Sequence, residues 1–316
     1  MRLTTLLLCA LIAWPVAAQG TLTSDQRRAF RVHGVTPGFV ESMHEAGLRG
    51  LSPDQLIAFR IHGVTPGFVE SMAEAGLKDV SADELVAFRI HGVSSGMVEE
   101  MAAAGLTSLD PDDLVAYRIH RVTPDYVRGM QRLKLGHLSG DDLVGFRIHR
   151  VTPDFIAEMQ ERGVRPSDPD QYTAFRIHGV SPDYVDEVHD MGFPDIGAGD
   201  LIAFRIHRVD AEFIAEMREL GLRGLTPEQA IRLRIYRVDQ DYLDEMSALG
   251  LDDFTADRLV AMKILGVDRR LVRDLRDQDY EDVSLDRLLR DRRHGGDWLK
   301  EDLRSALQSV IRDLTR

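Results

Sequence analysis

One period governs this chain. The aromatic that opens each Phe-Arg-Ile-His segment stands at Phe30, Phe59, Phe88, Tyr117, Phe146, Phe175 and Phe204; Leu233 and Met262 continue the series, and every step is 29 residues. The same register takes in Thr23-Ser24-Asp25-Gln26, which matches Ser52-Pro53-Asp54-Gln55. It ends in a worn tenth copy at residues 284–295, where Arg292, His294 and Gly295 match Arg60, His62 and Gly63. A period of this length, held over ten copies without insertion, is the mark of one small unit stacked on itself. Whatever a single copy folds into, its neighbours must bury its apolar side.

The punctuation within a copy predicts two short helices. In the second copy Ser52 is placed to cap a helix, Pro53 suits its first position, and Gln55 completes a capping box. That helix carries Leu56, Ile57, Phe59 and Ile61 and stops at Gly63, a residue suited to the left-handed terminus. Thr65 then caps a second helix opened by Pro66, with Phe68, Val69, Met72 and Ala75 apolar and Gly76 at its end. Each helix has about ten residues, too few to persist alone in water. The expected fold is therefore all-α, a solenoid of ten helix-turn-helix repeats. A final helix over 297–314 carries Trp298, Leu299, Leu303, Leu307, Val310 and Leu314 on one side and polar residues on the other, as a terminal cap requires.

Residues 1–18 read as a secretory signal peptide. Arg2 gives a positive start, residues 6–14 are apolar, and Val16-Ala17-Ala18 supplies a small-residue cleavage site before Gln19. The expected domains are thus this leader and one repeat domain over 19–316, located in the periplasm or secreted. Cys9, the single cysteine, falls inside the leader, so packing alone must hold the mature fold. The leader takes Arg2 from the 39 basic residues and leaves 38 against 52 acidic ones. Such an acidic balance disfavours nucleic acid and anionic lipid as partners. No later apolar run is long enough to span a bilayer, so no membrane insertion is expected.

Two columns of the repeat are candidates for function. The arginine column runs Arg31, Arg60, Arg89, Arg118, Arg147, Arg176, Arg205 and Arg234, then Lys263 and Arg292. On a helical wheel Arg60 falls between Leu56 and Ile57, so its charge must be paired or must snorkel. It can serve the seam between copies by meeting helix C-terminal carbonyls or the acids at Asp54-type and Glu100-type positions. It can also form a guanidinium ladder for an acidic ligand. In four copies the glycine after the histidine is replaced, by Arg121, Arg150, Arg208 and Arg237, which makes those corners more basic. The partner-binding candidates are accordingly Arg118, Arg121, Arg147, Arg150, Arg176, Arg205, Arg208 and Arg237.

The second column is His33, His62, His91, His120, His149, His178, His207 and His294. These lie in a last helical turn, where an imidazolium suits the dipole. Ladder positions roughly 9–10 Å apart are poor co-ligands for one metal ion, so neither a metal nor another cofactor is expected. Titration near pH ~6.5 would offset much of the acidic surplus, so the same histidines are pH-sensing candidates. No catalytic constellation is legible. His44-Glu45 lacks the second histidine of a zinc-peptidase helix, and neither a nucleophile elbow nor a phosphate-binding glycine loop occurs.

The segment from Phe59 through Arg60, Ile61, His62, Gly63, Val64, Thr65, Pro66, Gly67 and Phe68 to Val69 resembles tandem "HGVTP" repeats of uncharacterised exported bacterial proteins. It is also similar to repeats in the tails of some antirepressor-type sensor metallopeptidases. That resemblance covers the mature chain, implies an envelope role in assembly or signalling, and carries over no binding residues. The helix, Gly63-Val64-Thr65, helix pattern also resembles a DNA-binding helix-hairpin-helix, but Thr, Ser or Asp stands where that motif has its third-position glycine. Asp210, Asp239 and Asp268 would repel phosphate. The expectation is a non-enzymatic scaffold or adaptor that binds another protein. The alternatives are a pH-responsive envelope sensor and a helix-hairpin-helix-like nucleic-acid binder, the latter disfavoured by charge.

Overall fold

The computed structural model describes residues 22–107, 109–248 and 254–270. The leader, the tenth copy with Arg292 and His294, and the terminal helix expected over 297–314 lie outside the described residues. Among those described there are seventeen helices and no strand, and neighbouring helices pack in a regularly repeated pattern. The fold is the all-α solenoid that the period requires.

The chain divides into two compact units at Pro153 and Asp154. The first holds α1 (Ser24–His33), α2 (Pro37–Glu45), α3 (Pro53–His62), α4 (Pro66–Glu74), α5 (Ala82–His91), α6 (Ser95–Ala103), α7 (Pro111–His120), α8 (Pro124–Arg132) and α9 (Gly140–Ile148). Next comes α10 (Pro153–Glu161), all but its first residue in the second unit. That unit continues with α11 (Asp170–His178), α12 (Pro182–Asp190), α13 (Ala198–His207), α14 (Ala211–Glu219), α15 (Pro227–Ile235), α16 (Gln240–Ala248) and α17 (Ala256–Leu265). Within each unit every odd helix packs against the next odd helix, so the odd helices of that unit form one layer.

Most of the described helices begin at a side-chain cap; α11 and α13, whose N-caps are Pro169 and Gly197, have none. Ser52 Oγ accepts from the Gln55 amide at 3.2 Å, and Gln55 Oε1 accepts from the Ser52 amide at 3.0 Å, closing the capping box. The same box forms at Thr23, Ser81, Ser139 and Thr226. Gly63 ends α3 at φ 74°, and its neighbour's amide, Val64 N–H, donates to the Phe59 carbonyl at 2.8 Å. Thr65 caps α4 one residue later.

The core is the seam between copies. Phe59, Phe88, Phe175 and Phe204 are wholly buried, as are Met43 and Met101 from the even helices. In the first seam Phe30 and Val35 of one copy join Leu56 of the next, with Phe39, Val40 and Ile57 packed around them. Two tyrosines add a polar tie. The Tyr126 hydroxyl donates to the Val151 carbonyl at 2.8 Å, and that of Tyr242 to the Val267 carbonyl at 3.1 Å, each reaching into the following copy. Burial pushes both phenols above their ordinary range.

The N-terminal edge of the odd layer carries a second tie between copies. Gln26 Nε2 donates to Asp54 Oδ1 at 3.3 Å, and Gln229 Nε2 to Asp257 Oδ2 at 3.1 Å. The fourth copy has Asp113 in place of that glutamine. Its carboxyl fills the space a side chain on Gly140 would need. Burial first, then Asp110, Asp141 and Asp112, raise its pKa above the usual carboxylate value. A raised carboxyl pKa means that the charged form destabilises the fold at neutral pH and that protonation relieves it. Asp113→Gln is therefore expected to stabilise the protein by about 0.5 kcal/mol near neutrality, the effect being small because solvent still screens a partly exposed group. Melting curves from neutral pH downward check this: the gain should shrink as pH falls through the raised pKa of Asp113 toward the ordinary carboxylate range.

Candidate functional site

The arginine column sits at the seam. Arg60 Nε donates to the His33 carbonyl at 3.1 Å, and the guanidinium lies over the Phe39 ring at 4.9 Å, both in the preceding copy. Arg234 repeats the arrangement, with the Arg208 carbonyl at 3.0 Å and the Phe213 ring at 4.8 Å. Arg89, Arg147, Arg176 and Arg205 stack on Phe68, Tyr126, Phe155 and Tyr184. Lys263 stands in the same way over Tyr242. Arg118 has Met97 where the other copies have a ring, but its Nη2 lies beside Gly92 as those of Arg60, Arg89 and Arg205 lie beside Gly34, Gly63 and Gly179. Of the acids offered as alternative partners, Asp54 accepts instead from Gln26 of the preceding copy. Arg60 and Arg234 thus join a helix C-terminus and an aromatic face of the preceding copy to their own, and four further ladder arginines keep the aromatic contact, which suits a delocalised, weakly hydrated cation.

This placement explains the glycine that follows each histidine. A side chain on Gly34 would meet Arg60 Nη2 at 3.0 Å, and one on Gly179 would meet Arg205 Nη2 at 3.1 Å. The position is also left-handed, at φ 69° and 70°. Arg121, Arg150, Arg208 and Arg237 occupy it nonetheless, at φ 58°, 58°, 56° and 53°. For a side chain with a Cβ this conformation costs about 1 kcal/mol. All four are exposed at the C-terminal edge of the odd layer. His33, His62, His91, His120, His149, His178 and His207 line the same edge, exposed or half-buried. Within each unit the two columns therefore share one edge of one layer.

An apolar row that the residue types alone do not mark accompanies the charged columns. Val32, Ile61, Ile90, Ile119, Ile148, Ile177, Ile206 and Ile235 stand between the two columns, one per copy, and each is about half or more exposed (70% at Val32, 54% at Ile61, 47% at Ile235). Beside them the Ile57-type and Ala58-type positions are half-buried in the second to fifth copies. The signal was available: on a 100° wheel Ile61 points roughly opposite to Leu56 and Phe59, which mark the core. Scattered exposed aliphatics need no explanation, but a row that recurs in each of the first eight copies forms an apolar stripe within each unit. At the other end of these helices Asp25, Asp54, Asp83, Asp112 and Asp141 are exposed in the first unit. Its outer face is thus banded: acidic at one edge, aliphatic in the middle, basic at the other.

Elsewhere a cleft in the second unit is lined by Asp183, Asp186, Glu187, Asp190 and Arg218. Arg162 Nε donates to both Asp186 carboxylate oxygens at 2.9 Å, and Arg218 is bound to the Met191 carbonyl, so this cleft is braced by arginine on both sides. Among the described residues no three histidine, cysteine or carboxylate side chains converge as a metal site would need, and no helix is long and apolar enough to cross a membrane. Compared with known families and with curated proteins, the chain matches no family model and no curated sequence.

Proposed function

We propose that this protein is an exported, non-enzymatic scaffold that binds another protein through the outer face of its odd helices. The recurrent row of exposed aliphatics from Val32 to Ile235 carries the proposal, because a soluble chain that leaves one such side chain uncovered in copy after copy keeps a surface for a partner. The left-handed arginines give further support. Glycine would hold Arg121, Arg150, Arg208 and Arg237 at lower energy, as it does at Gly34, Gly63, Gly92 and Gly179. Local strain retained at an exposed corner points to use. Arginine beside an aliphatic patch supplies the polar rim and planar donors of a binding surface. Export and an envelope location follow the leader-like residues 1–18 and the resemblance to exported repeat proteins.

The test is capture on the immobilised, natively processed protein. A partner should be retained by the native chain and lost when Ile61, Ile90 and Ile119 are replaced together by Asp, with helix content unchanged by circular dichroism. Arg121→Gly should raise stability by about 1 kcal/mol through relief of the left-handed backbone, while binding weakens. A partner that ignores both changes, or no retained partner at all, would count against the proposal.

A further inference from the structure

The banded face of the first unit fits one partner better than any other, and we infer that the partner is a second copy of this chain, paired face to face about a two-fold axis running along the aliphatic row. This rests on the surface named above and adds the identity of what covers it.

The argument starts from period. A partner that fills successive gaps between Val32, Ile61, Ile90, Ile119 and Ile148 must present apolar groups at the spacing of stacked repeats. Another copy has that spacing by construction, whatever its value, and stays in register over all five rows. Charge then selects the orientation. Along α3, α5, α7 and α9 the order is acid, half-buried aliphatic, exposed aliphatic, histidine, as in Asp54, Ile57, Ile61 and His62, while in α1 the exposed Arg28 stands at the Ile57 position. A two-fold axis along the row, lying between the Ile57 and Ile61 positions, turns each helix antiparallel to its counterpart. It sets Ile57 against the partner copy's Ile61 position and the acidic edge against the basic edge. An axis across the row would set acid on acid.

A closed two-fold also makes row meet row. In the fourth row Asp112 of one copy then faces Arg121 of the other, and in the fifth Asp141 faces Arg150. These two rows are the ones in this unit where arginine replaces glycine at the left-handed corner, so the strained residues stand where a complementary acid arrives. Acid and base thus meet across this face although the chain is acidic as a whole. A standard stable interface takes about 800 Å² per partner, so the charged edges must be covered together with the aliphatic row.

The experiment is sedimentation velocity on the natively processed protein at micromolar concentration and moderate salt. The expected mass is that of two copies. Replacing Ile61, Ile90 and Ile119 together by Asp should give the mass of one copy with helix content retained. Should that variant fail to fold, charge exchange replaces it. A variant carrying Asp112→Arg and Asp141→Arg should sediment as one copy, and so should a variant carrying Arg121→Asp and Arg150→Asp. Mixed, the two should recover the two-copy mass, because each repulsive pair becomes attractive only across the predicted rows. A native protein that sediments as one copy overturns the pairing. So does a two-copy mass that survives the isoleucine changes, or a mixture that recovers nothing. A single-copy protein that still captures a different partner through Ile61, Ile90 and Ile119 would overturn self-pairing while leaving the scaffold proposal standing.

Discussion

Phe88→Ala is expected to cost about 3–5 kcal/mol and to split unfolding into two steps. The ring is wholly buried and sits on α5, which packs against α3 on one side and α7 on the other. Truncation removes the apolar transfer energy of the ring and leaves a cavity that the flanking helices only partly close. In a solenoid each copy is held mainly by its neighbours, so one weak seam lowers the coupling between the copies before it and those after it. Urea denaturation followed by circular dichroism would show an early phase absent from the native protein. Ile90→Ala, two residues along the same helix, is the control. Its side chain is 55% exposed within one copy, so in protein dilute enough to be unpaired its loss should change stability by less than about 0.5 kcal/mol. Equal effects at the two positions would mean that the odd helices are turned differently from the orientation described.

Arg60→Ala is expected to cost about 2 kcal/mol, because three small contributions fall together. The hydrogen bond to the His33 carbonyl is lost, the stack on Phe39 is lost, and the C-terminal end of α1 loses a cation. Arg60→Lys should recover part of the loss. Lys263 already shows that an ammonium can stand over the ring, 3.8 Å from the Tyr242 centroid. The lysine cannot reproduce the Nε hydrogen bond alongside the stack, so about half of the cost should remain. Thermal or chemical unfolding of the two variants side by side checks the order native, Lys, Ala. If the alanine variant matched the native protein in stability, the column would have no structural role, and its guanidiniums would be available for ligand alone. The expected cost also bears on binding experiments: changes in this column disturb the seam, so Ile61, Ile90, Ile119 and Arg121 report on binding more cleanly.

Much of this architecture is legible from the order of residues. Ser52, Gln55, Gly63 and Thr65 act within a few residues of themselves, so caps and boundaries follow from local chemistry and agree with the observed helices. The 29-residue period states that the same contacts recur, and recurrence without insertion leaves stacking as the way to bury Phe59 and Met72. The all-α solenoid follows from these two facts.

What Arg60 touches was not legible in the same way. Its partners, the His33 carbonyl and the Phe39 ring, lie 27 and 21 positions earlier and come within reach only when one hairpin stacks on the last. The wheel identified a cation inside an apolar arc but could not choose between a carbonyl, a ring and a carboxylate. Ile61 shows the converse. Its residue type suggests the core, and its angle on the helix sets it opposite Phe59, but only packing decides whether a second layer covers that side. Sequence by itself determined the elements, their ends and their repetition, because those depend on short-range hydrogen bonding and on period. Tertiary structure decided which face of each helix became seam and which stayed open, because burial belongs to neighbouring copies together and not to any one of them.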